Sequence, residues 1–113
     1  MEFDSNKPIY IQLADCICEK ILSGELSPDE RIMSVREYGA SIGVNPNTVA
    51  RAYERLTDTG IIYNRRGIGY FVSPDARRVV MSVERERFLK GELPAILRRI
   101  ELLGLDINVI LKQ

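Results

Sequence analysis

Apolar residues recur along this chain at two different periods. Ile9, Leu13, Ile17 and Ile21 fall at every fourth position, and Tyr10, Ala14 and Leu22 widen the stripe. That spacing predicts a core-facing helix of about four turns, opened by Pro8 and stopped by Ser23-Gly24. Glu25 to Glu30 reads as a polar connection, and Arg31-Ile32-Met33 as a short strand. Ser34, with Glu37 three residues on, has the spacing of a capping box and predicts a helix over Val35 to Ile42 that ends at Gly43. Gly39 inside that helix costs up to about 1 kcal/mol relative to alanine, so a glycine there points to a close approach by a neighbouring helix.

Only Gly43-Val44 separates this helix from the next N-cap, Asn45, which Pro46 follows at the first helical position. Val49, Ala52, Tyr53 and Leu56 then make one apolar face, while Asn47, Thr48, Arg51 and Arg55 lie largely off it; Gly60 ends the helix. Two helices joined by so short a turn make a helix-turn-helix. The second of them starts abruptly, docks one side and shows a polar N-terminal end, as major-groove readers do. The period then becomes strand-like in Ile61-Ile62-Tyr63 and Tyr70-Phe71-Val72, and Asn64-Arg65-Arg66-Gly67-Ile68-Gly69 between them reads as a hairpin tip carrying two adjacent arginines.

Ser73-Pro74-Asp75 marks a boundary. A mixed-charge helix is expected from Ala76 to about Lys90, with a break at Gly91-Glu92-Leu93-Pro94. Leu93, Ile96, Leu97, Ile100 and Leu103 give a second amphipathic helix, and Asp106 caps a last short one. About forty residues cannot bury that much apolar surface alone, so the tail is expected to pack on the winged domain or, in preference, on a second copy. The expected fold is mainly α with a small β-hairpin: a winged helix-turn-helix over residues 1–74 and a short helical dimerisation tail over residues 75–113.

Formal net charge is zero over the 113 residues, which argues weakly against nucleic-acid binding. Residues 31–72 nevertheless hold six arginines against three acids, a local charge of +3, and affinity for phosphate depends on the cations that reach it. The N-terminal stretch Met1-Glu2-Phe3-Asp4 lacks the basic and apolar regions of a signal peptide, and no apolar run spans a bilayer, so a cytoplasmic protein without membrane association is expected. Cys16 and Cys18, two apart on a helix, are read as packed thiols rather than a bridge. With no histidine, no nucleophile–base pair and no metal cluster in view, no enzyme, metal or cofactor is expected.

Four segments in the right order carry a family resemblance. Pro8-Ile9-Tyr10-Ile11-Gln12-Leu13, Ser34-Val35-Arg36-Glu37, Val44 to Val49 followed by Arg51-Ala52-Tyr53 and Leu56, and Arg65-Arg66-Gly67-Ile68-Gly69-Tyr70-Phe71-Val72 together resemble the winged domain of GntR-family transcription regulators, and most of all the YtrA-like subfamily. Met33, Tyr38-Gly39, Ala50 and Tyr70 depart from the usual pattern. The resemblance implies a bacterial regulator, a repressor by type, that binds a palindromic operator in double-stranded DNA as a homodimer. It implies DNA contacts from Arg36, from Asn45, Asn47, Thr48 and Arg51 in the major groove, and from Arg65, Arg66, Gly67 and Gly69 at the minor groove or phosphates. For Asn45 capping alone is an equal reading, for Arg36 a surface ion pair, and for Arg65 and Arg66 a solvated loop. The family at large also implies an unknown small-molecule effector. A different class stays open: a winged helix used as a protein-interaction module without sequence-specific DNA binding.

Overall fold

The computed structural model describes residues 2–112; Met1 and Gln113, the outer limits of the two expected domains, lie outside them. Helices α1 (Ile9–Leu22), α2 (Val35–Ile42) and α3 (Pro46–Asp58) come first, then strands β1 (Ile62–Arg65) and β2 (Gly69–Val72). Helix α4 (Ala76–Arg87), one π-helical turn (Phe88–Glu92), α5 (Leu93–Leu102) and α6 (Ile107–Leu111) follow. The chain divides into two compact units, Met1–Met81 and Ser82–Gln113.

In the first unit α3 packs on both α1 and α2. Leu13, Ile17 and Ile21 of α1 and Val49, Ala52, Tyr53 and Leu56 of α3 are buried in one core, so the two apolar stripes read from the sequence are two sides of one interface. Ile62 and Val72 close this core from the hairpin, and Ala76 and Val80 from α4. Those last two residues explain why the unit runs past the expected boundary at 74/75 to Met81: the first turns of α4 are core.

The local signals act as read. Ser34 Oγ accepts from the Glu37 N–H at 3.1 Å, and Glu37 Oε1 accepts from the Ser34 N–H at 3.1 Å. Gly43 then takes the left-handed conformation that ends α2, with φ 70°. The approach expected at Gly39 is made by the turn that follows α2. A methyl carbon at Gly39 would lie 2.7 Å from the Val44 carbonyl oxygen. Tyr53 Oη donates to the Met33 carbonyl at 2.6 Å, tying α3 to the segment before α2.

The hairpin pairs Ile62 with Val72, Tyr63 with Phe71, Asn64 with Tyr70 and Arg65 with Gly69. Pairing therefore runs further toward the tip than the apolar runs alone suggested. The strand expected at Arg31-Ile32-Met33 is reduced to a single bridge, Arg31 to Phe71, backed by the Ile32 N–H donating to the Tyr70 carbonyl at 3.0 Å. Cys18 is buried and Cys16 half-buried, both as thiols.

In the second unit the break expected at Gly91-Glu92-Leu93-Pro94 is not made. The Leu93 N–H donates to the Phe88 carbonyl, five residues back, and the helix continues through this wider turn. Proline lacks an N–H and its ring crowds the carbonyl four residues before it; a π turn re-aims those carbonyls and lets the helix proceed. Asp106 caps α6 by accepting from the Asn108 N–H at 2.9 Å. No described residue of this unit is buried, and Phe88, Ile96, Leu97, Leu103 and Ile110 are exposed.

Candidate nucleic-acid interface

Helix α3 is 13 residues long, or about 20 Å, enough to lie along a groove. Its apolar face is spent in the core, which leaves the opposite edge to solvent. Asn47 and Arg51 are exposed and Thr48 is partly so. The side-chain amide of Asn47 and the hydroxyl of Thr48 have no hydrogen-bond partner among the described residues. Asn45 caps the helix: its Oδ1 accepts from the Asn47 N–H at 2.8 Å. The Thr48 N–H is taken by the Asn45 carbonyl at 3.0 Å, so the first turn has few free N–H groups to offer an anion. The polar groups left open at this end are therefore side chains, including the Asn45 amide nitrogen, which capping does not use.

Arg51 is exposed but not idle. Its guanidinium carbon lies 4.2 Å from the centre of the Tyr10 ring, a cation–π stack that holds the side chain against α1. Tyr10 looked like stripe-widening in the sequence, and nothing in its spacing marked it as a platform for Arg51. Arg55, one turn on, makes no ion pair among the described residues.

Arg36 lies on the first turn of α2, exposed. Its neighbour Glu37 is occupied by the cap, and the Ser34 backbone N–H holds the Glu37 carboxyl below its usual range, so it stays ionised in that role. Arg36 has no carboxylate partner among the described residues, and the surface-pair reading finds no support there.

The wing follows from its glycines. The Ile68 N–H donates to the Arg65 carbonyl at 2.8 Å, closing a turn in which Gly67 stands third with φ 79°. That position belongs to residues that tolerate left-handed backbone. Arg66 points from the tip with no partner among the described residues, while Arg65 sits over the Phe71 ring at 5.6 Å. At Gly69 the backbone has φ 144°, and a Cβ would lie 2.9 Å from Arg31 Nε. Arg31 thus reaches the base of the wing. In the sequence it was only one more cation of the basic patch; the single bridge to Phe71 puts it there, and so short a pairing leaves no periodic signal.

A helix-turn-helix with an open polar edge, followed by a glycine-turned arginine hairpin, defines a winged-helix DNA-binding domain. The chain belongs to the GntR family of bacterial regulatory proteins, whose profile matches residues 9–72. It is 35% identical over 104 residues to the uncharacterized regulator YhcF of Bacillus subtilis, covering 92% of this chain and 84% of that one. It is 39% identical over 77 residues to the transcriptional repressor YtrA of the same organism, covering 68% of this chain and 59% of YtrA. A putative GntR-family regulator from Bacteroides thetaiotaomicron superposes with TM-score 0.73 at 45% identity, covering 92% of this chain and 90% of that one. The DNA-binding domain of AraR, solved in complex with its operator ORR3, superposes with TM-score 0.58 at 32% identity over 65% of this chain and 86% of that one. The protein is a GntR-family transcriptional regulator with a winged helix-turn-helix DNA-binding domain and C-terminal helices.

Proposed function

We propose that this regulator is a repressor that binds a palindromic operator in double-stranded DNA as a homodimer. The observation that carries the reading is the open edge of α3, where Asn47 and Arg51 are exposed and Thr48 partly so, together with an exposed Arg36 that has no partner among the described residues. Asn45, Asn47, Thr48 and Arg51 read base edges in the major groove, with Arg36 on phosphate or guanine. Arg65 and Arg66 reach the minor groove or flanking phosphates, and Gly67 and Gly69 let the wing backbone come close. The relative YtrA is named a repressor, and the structurally similar AraR domain is described on its operator. A protein of this kind works in the cytoplasm, where bacterial DNA lies.

The domain plan is a winged unit and a dimerising tail. The exposed apolar side chains of residues 82–112 favour a second copy as their cover, since a monomer rarely leaves so many large ones in water. A twofold dimer calls for two half-sites about one helical turn apart, or a multiple of that.

Fluorescence anisotropy with the DNA upstream of the gene, at two salt concentrations, tests this. Saturable binding that weakens steeply with salt is expected, and Arg36→Ala lowers both the affinity and the salt slope, the slope by about one. Salt-independent or absent binding refutes the DNA reading and leaves the protein-interaction module.

A further inference from the structure

A cavity of about 250 Å³ opens within the first unit, between α1, the segment before α2, and α3. Leu26, Ile32 and Met33 wall it, and the buried Tyr38 and Tyr53 border it. Its charged lining is Lys20, Arg31 and Glu30. Glu30 is the one acid of the lining, and its Oε1 accepts from the Ser27 N–H at 3.0 Å. Lys20 has no carboxylate partner among the described residues, and its ammonium stands 5.9 Å from the centre of the Tyr38 ring; Arg31 makes no close ion pair among them, though its charge is felt by the Glu37 carboxylate. A mostly apolar hollow with a few convergent polar groups is how small-molecule sites are built. Two cations against one acid favour an anion, the apolar and aromatic lining a ring-bearing apolar body, and the volume a molecule of about a dozen heavy atoms.

The walls are also the joint between the two DNA-reading parts. Ile32 is hydrogen-bonded to Tyr70 of β2, and Arg31 is bridged to Phe71 and packed at Gly69 of the wing. Met33, the next residue, takes the hydrogen bond from Tyr53 of α3. An occupant that draws Arg31 toward itself moves that side chain off Gly69, and one that wedges Met33 strains its link to α3.

We propose that this cavity is an effector site for a small aromatic carboxylate, and that its occupancy sets the wing against α3 and so changes affinity for DNA. The regulatory half rests on the reading of α3 and the wing as the parts that hold DNA; the binding half does not. The coupling is reciprocal, so DNA alters affinity for the anion by the same factor.

The test uses the full chain, with benzoate and indole-3-acetate as anionic probes and tryptamine as the cationic control, followed by calorimetry and amide NMR. At least one anion binds saturably, with shifts centred on residues 17–38, 53 and 69–71, and tryptamine binds at least tenfold more weakly. Lys20→Met weakens the anion by about tenfold, the worth of one charge-assisted contact. Leu26→Trp, which fills the cavity, abolishes binding; a thermal melt of each variant establishes that it folds. Failure of both anions to bind, equal binding of tryptamine, or shifts centred on residues 97–107 overturns the site. Saturable binding with DNA affinity unchanged overturns the coupling alone. Anion binding by a protein that binds no DNA would instead defeat the proposed function and leave the site standing.

Discussion

Replacing Gly39 with alanine tests how the helix-turn-helix is closed. In an unconstrained helix the change would stabilise by about 1 kcal/mol, because alanine is the better helix former. Here the new methyl carbon would stand 2.7 Å from the Val44 carbonyl oxygen and 3.6 Å from Pro46 N. Carbon and oxygen do not approach that closely, and the oxygen is backbone. The Val44 N–H is held as well, donating to the Gly39 carbonyl at 2.9 Å, so the turn clasps the glycine from both sides. Relief requires moving residues 43–46, and with them the start of α3. Overpacking of this kind costs about 1–3 kcal/mol. Set against the gain in helix propensity, the net expectation is a loss of about 1 kcal/mol. For a domain of this size that lowers Tm by roughly 4–8 °C in a circular-dichroism melt. Operator affinity falls too, because the side chains of Asn47 and Thr48 start from a displaced helix end. An unchanged or raised Tm would show that Val44 does not rest on Gly39, and the reasoning about the turn would fail.

Other perturbations read different parts of the structure. Tyr53→Phe removes the hydrogen bond to the Met33 carbonyl and costs roughly 0.5–1.5 kcal/mol by chemical denaturation; a neutral result would mean that bond contributes nothing. Burial first, and the neighbouring Cys16 thiol second, push the Tyr38 hydroxyl up to about 12, and burial raises Tyr53 as well. Both charged forms are disfavoured in the fold. The stability tied to these neutral hydroxyls is therefore complete below pH 10 and lost as pH rises through the folded values. An absorbance titration of tyrosinate should find them silent until unfolding begins, and ionisation near pH 10 in the native state would contradict their burial. The Glu37 carboxyl should titrate below its ordinary 4.5 by side-chain NMR, with its capping role lost as pH falls through that midpoint; a midpoint at or above 4.5 would deny the cap. Leu97→Asp with Ile110→Asp should halve the mass seen by light scattering, whereas an unchanged mass removes the tail from the dimer.

The parts that were legible from sequence are those whose signals are local. Ser34 and Glu37, Asn45 and Pro46, and Gly43 each answer to the chemistry of three or four neighbouring residues, and the structure uses them as caps and stops. The stripes of α1 and α3 were legible because burial enforces periodicity. What escaped depends on partners distant in sequence. Tyr10 meets Arg51 across two helices, and Arg31 meets Gly69 through one bridge. Ala76 and Val80 belong to the winged core although they follow a Ser-Pro boundary signal. At Gly91 to Pro94, two residues that commonly break helices are absorbed by a π turn, whose wider hydrogen-bond spacing no apolar pattern announces.

In the proposed complex the polar edge of α3 and the arginine wing together hold the duplex. Backbone-amide NMR of the full chain, titrated with duplex DNA from upstream of its gene, tests it most directly. The largest shifts should fall at residues 45–51 and 65–69, with smaller ones at 31 and 36. Shifts concentrated in α5 and α6, or none at saturating DNA, would contradict it.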